Sequence, residues 1–158
     1  MNAPAFFAPR PSRILRPGER VLPPNVERYP VAGGGSLLAD VKAGDRLHLT
    51  DVEGGQRVEL LFCDGQGRFD LAGLGITADG TAEGLKAALA EETDSARRTR
   101  AALLRRGITL AQARSARVFG NASRARSSAE FTVHQDGVLI IAVPATQMLP
   151  EAQDTATE

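Results

Sequence analysis

Two groups of short segments with period-two hydrophobicity, residues 36–63 and 116–143, bracket one block of helical period, residues 81–115. That order constrains the fold more than anything else in the chain. A parallel α/β sheet needs strands and helices in alternation, whereas strands, then helices, then strands specify an α+β domain. The sequence therefore predicts a mainly antiparallel β sandwich or barrel-like framework carrying a helical insertion between about Thr81 and Ser115.

In the first group, Ser36–Val41 and Arg46–Val52 flank Lys42-Ala-Gly-Asp45, and Gly44 can take the positive φ of a hairpin turn. Leu47 and Leu49 alternate with His48 and Thr50. After Glu53-Gly-Gly55, the segment Gln56–Cys63 reads as a third strand with Val58, Leu60 and Phe62 on one face. In the middle block, Thr81 is placed to cap a helix over 82–92. Thr93 or Asp94 caps a second helix running to Arg106 with Gly107 as its stop, and Thr109 opens a short third one from Leu110 to about Ser115. In the last group, strands are expected at 116–119, 129–134 and 138–143. The last two would be joined as a hairpin through Asp136-Gly137, the strongest short-range hairpin signal present.

Seven of nine prolines fall within the first thirty residues, interleaved with Arg10, Arg13, Arg16 and Arg20. Proline removes a backbone donor and holds its predecessor extended, so residues 1–30 read as an arm outside the core. Phe6, Phe7, Ile14 and Leu15 could lay it on a neighbour. The domain proper is expected over 31–154, with 155–158 as a tail.

Nineteen basic side chains balance nineteen acidic ones. Zero formal charge argues against nucleic-acid binding, which needs a surplus of cations facing phosphates. One cysteine cannot form an internal disulfide or a paired-thiolate zinc site. No apolar run approaches the roughly 20 residues that span a bilayer, and no secretory pattern opens the chain, so the expected setting is cytoplasmic and off the membrane.

Few residues suggest chemistry. His48 lies on the polar side of its strand beside Thr50 and Asp51, but no nucleophile is adjacent. His134 falls near a turn and is expected to be exposed. Cys63 ends an apolar strand, so it reads as buried and inert, with Asp64 raising its pKa. With only His48, Cys63 and His134 as soft ligands, no metal motif forms. Gly33-Gly-Gly35 and Gly73-Leu-Gly75 do not open into helices, so they read as turns and not as phosphate or dinucleotide loops. Asn121-Ala-Ser123 matches a glycosylation sequon without a secretory context. Nine arginines between Arg97 and Arg126 suit the basic end of a helix, and can also meet acidic groups across an interface. His48, Asp51, Gln56 and Glu59 cluster around one turn and the strand after it, and are the candidate catalytic set of a small enzyme with a polar substrate.

The run Val31-Ala-Gly-Gly-Gly35, then Val41 to Leu61, resembles the urea carboxylase-associated family, a domain of unknown function. Gly44, Leu47, Asp51, Gly54 and Gln56 match its pattern, while Glu59 stands where the family has aspartate. Ala82–Ala88, Ser95–Arg98, Arg106–Ile108, Ala116–Gly120 and Pro150–Asp154 resemble the version found ahead of a glycine-cleavage T-protein-like aminomethyltransferase module, as in demethylases of methylated amines such as trimethylamine-N-oxide demethylase-like proteins. That resemblance implies an accessory or assembly domain, not catalytic alone, with tetrahydrofolate on a T-protein-like partner or a downstream module and no cofactor of its own. Family members acting on urea-like compounds carry later cysteines as metal ligands, and this sequence has none there. The alternative is a small enzyme acting on a urea, guanidine or methylated-amine substrate. The nearly continuous apolar run Val138–Val143 suits a strand covered on both faces, which a small domain alone could fail to cover; a homo-oligomer is expected.

Overall fold

The computed structural model describes residues 22–145. The chain divides into two units, Met1–Pro30 and Val31–Glu158. In the first, residues 22–30 hold a turn closed by Val26 N–H on the Pro23 carbonyl, and the Tyr29 hydroxyl donates to Glu27. The apolar residues expected to dock the arm (Phe6, Phe7, Ile14 and Leu15), the Pro150–Asp154 match and the tail lie outside the described residues.

The second unit is the expected α+β fold. Its strands are β1 (Ser36–Val41), β2 (Arg46–Asp51), β3 (Val58–Asp64), β4 (Ala116–Val118), β5 (Ser127–Thr132) and β6 (Gly137–Ala142). Its helices are α1 (Glu83–Ala90) and α2 (Asp94–Arg105). A short 3-10 helix, Leu71–Leu74, follows β3 and is capped by Asp70, whose carboxylate accepts from Ala72 N–H. One sheet has the order β1-β6-β3-β4 and the other pairs β2 with β5, all antiparallel.

Neither expected hairpin forms. β1 pairs with β6 and β2 with β5, so the Gly44 turn carries the chain from one sheet to the other. Asp136-Gly137 does the same on the return. The two pairings share one register: past Val41↔Gly137, four residues on each side lead to Arg46↔Thr132. The segments 36–51 and 127–142 are thus one long ribbon, bent at a common corner. The corner is held by Gly44 N–H on Val133 O, Val133 N–H on Asp45 O, and Ala43 N–H on the Asp136 carboxylate. Gly137 is needed for close approach, because a Cβ there would stand 2.4 Å from the Cys63 carbonyl oxygen. An Asp-Gly pair signals a tight change of direction, and a corner uses it as well as a hairpin does.

Period-two alternation distributes β3 and β6 between two cores. Leu61, Cys63, Ile140 and Ala142 face Leu85, Leu89, Ala96 and Leu103 of the helices. Leu60, Phe62, Leu139 and Ile141 face the opposite side, with Leu71 and Leu74 and with Leu47, Leu49 and Phe131 of the β2–β5 ribbon. Helices, sheet and ribbon make three layers. Both faces of Val138–Val143 are therefore covered from within the chain, and the strand does not require a neighbour for that purpose.

α2 starts and stops as expected. Thr93 accepts from Ala96 N–H, and Gly107, at φ 65°, lets Ile108 N–H turn back to Leu103 O. α1 does not use Thr81, whose hydroxyl goes to Glu83. Its N-cap is Ala82, whose N–H goes to the Ser115 hydroxyl, and the N–H groups of Gly84 and Leu85 are met by Glu59 of β3. The expected third helix is a single turn, Ala113 N–H to Leu110 O, because Ser115 is drawn into a bridge with Gly80.

Candidate functional site

The four candidate residues are placed by three different elements. Asp51 is the last residue of β2 and is 6% exposed. One carboxylate oxygen accepts from Gly54 N–H at 2.9 Å, the other from Gln56 N–H at 3.1 Å and from the Ser123 hydroxyl at 2.6 Å. Burial pushes its pKa up, but the Ser123 hydroxyl and the N–H groups of Gln56, Gly54 and Glu53 outweigh that and hold it below the ordinary value. Ser123 in turn accepts Gly55 N–H, so Asp51 staples the β2–β3 turn to the loop before β5. Gly54 sits at φ 87° with Ala125 N only 2.7 Å from where a Cβ would stand, which leaves room for glycine alone.

Gln56 joins Asp51 through its backbone, while its side-chain amide donates to Pro144 O at 2.9 Å and to Arg57 O at 3.2 Å. Glu59 points from β3 to the start of α1, where its two oxygens accept Gly84 N–H at 3.1 Å and Leu85 N–H at 3.0 Å. A carboxylate there satisfies orphan donors and meets the positive end of the helix. His48 stands on the exposed face of the ribbon, directly opposite Glu130, with Nδ1 and Oε1 3.1 Å apart. Asp51 and Gln56 are brought together; His48 and Glu59 are engaged elsewhere.

A small hollow opens beside Glu59, lined by Asp79, Thr81, Ser115 and Arg117 among others. Three of its side chains are committed: Asp79 accepts Arg117 N–H, Ser115 accepts Ala82 N–H, and Thr81 donates to Glu83. The sequence reading missed Ser123, Ser115 and Asp79. No local pattern marks them, since their partners lie 72, 33 and 38 residues away.

Cys63 is fully buried, and burial, reinforced by Asp64, pushes its thiol pKa up, as expected from its position. His134 is exposed. Among the described residues, no group of three or more His, Cys, Asp or Glu is placed to hold a metal ion, and no helix is long and apolar enough to cross a membrane.

The chain is 40% identical over 149 residues, 94% of its length, to trimethylamine-oxide aldolase of Ruegeria pomeroyi. It spans 19% of that relative's length, so the match is to one part of a much longer protein. No family model matches the chain, and no solved structure matches it.

Proposed function

We propose that this chain is an accessory or assembly domain of a demethylase system for methylated amines, built on a tetrahydrofolate-dependent aminomethyltransferase, and is not catalytic by itself. The observation that carries the reading is the match of nearly the whole chain to 19% of a trimethylamine-oxide aldolase. The polar chemistry of the candidate set favours the same reading. Asp51 and Glu59 use their carboxylates to hold a turn and a helix end, and Gln56 uses its amide to hold the Pro144 carbonyl. Such groups organise a fold without presenting themselves to a substrate. In this reading the folate belongs to a T-protein-like aminomethyltransferase, on a separate polypeptide or downstream in a longer one. The tetrahydrofolate part of the reading rests on the resemblance of Ala82–Ala88, Ser95–Arg98, Arg106–Ile108 and Ala116–Gly120 to the domain found ahead of aminomethyltransferase modules.

The test is to incubate the purified chain with trimethylamine oxide, with and without a T-protein-like aminomethyltransferase and tetrahydrofolate, and to follow substrate loss by proton NMR. The expected result is no turnover by the chain alone and measurable association with the second protein. Turnover by the isolated chain, lost on His48→Ala or Glu59→Gln, would overturn the proposal in favour of a small enzyme built on His48, Asp51, Gln56 and Glu59.

A further inference from the structure

We draw no further inference here: the strongest candidate, the hollow between β3, β4 and the start of α1 where Glu59, Asp79 and Glu83 gather, belongs to the site already described, and among the described residues no buried polar side chain is left without a partner to point it at a ligand.

Discussion

Asp51→Ala separates a structural carboxylate from a catalytic one. The substitution removes the acceptor for Gly54 N–H, Gln56 N–H and the Ser123 hydroxyl together. Hydrogen bonds to a charged acceptor contribute roughly 1.5–3 kcal/mol each when shielded from water. The three donors here are half-buried, so water recovers part of that once the side chain is gone. About 1 kcal/mol per bond remains, or about 3 kcal/mol in all. For a chain of this size that corresponds to a melting temperature lower by about 6–12 °C. Asp51→Asn keeps an acceptor on one side only and should cost about half as much. Urea unfolding followed by circular dichroism measures both. The pH dependence supplies a second reading of the same group. Its folded pKa lies below the ordinary 3.8, so its contribution is full above the unfolded value and is lost as the pH falls through the folded one. The gap between wild type and Asp51→Ala should be constant from about pH 7 to 5 and narrow as the pH falls below about 4. A stability change under about 0.5 kcal/mol, or a gap that does not narrow in acid, would refute the reasoning.

Glu59→Ala removes the acceptor at the start of α1 and should cost about 1–2 kcal/mol in urea unfolding, with the Glu59→Gln cost smaller; equal costs would argue against the helix-end role. Gly137→Ala drives a methyl group into the Cys63 carbonyl and the Phe62 ring and should cost more than about 3 kcal/mol, seen as poor soluble yield or early melting. Cys63 should resist a thiol reagent in the native state and react at the rate of unfolding, because burial keeps its thiol protonated and covered; fast stoichiometric labelling of the folded chain would contradict this.

What the sequence disclosed was local. Alternation in Val58–Cys63, the Thr93 cap and the Gly107 stop depend on neighbours a few residues away, and each stands where the residues placed it. Partner choice was not legible. Gly44 and Asp136-Gly137 announce reversals of direction, but whether a reversal closes a hairpin or rounds a corner is settled by strands some ninety residues apart, as the pairing of Ala43 with Asp136 shows. Thr81 lost the α1 cap to Glu59 for the same reason: the tertiary fold brought a carboxylate to the Gly84 and Leu85 N–H groups. The candidate set failed to converge because His48, on β2, belongs to the ribbon and Glu59, on β3, belongs to the sheet. Nearness in sequence across a turn did not survive the change of sheet.

The first and last described segments of the second unit meet at one point. Gly34 N–H donates to Val143 O, Val143 N–H donates to Gly35 O, and the next residues inward, Ser36 and Ala142, are paired. Gln56 holds Pro144 on the same spot. Tension between the two ends would therefore act first across two strands about 5 Å apart. A load at those ends meets the β1–β6 ladder at its outermost rung and can open it only rung by rung, the mechanically compliant direction of an antiparallel pair. The first rung is also tied to the helix layer, since Ser36 N–H donates to the Ser95 hydroxyl and the Ser36 hydroxyl bonds that of Thr99, so α2 would share the load from the start.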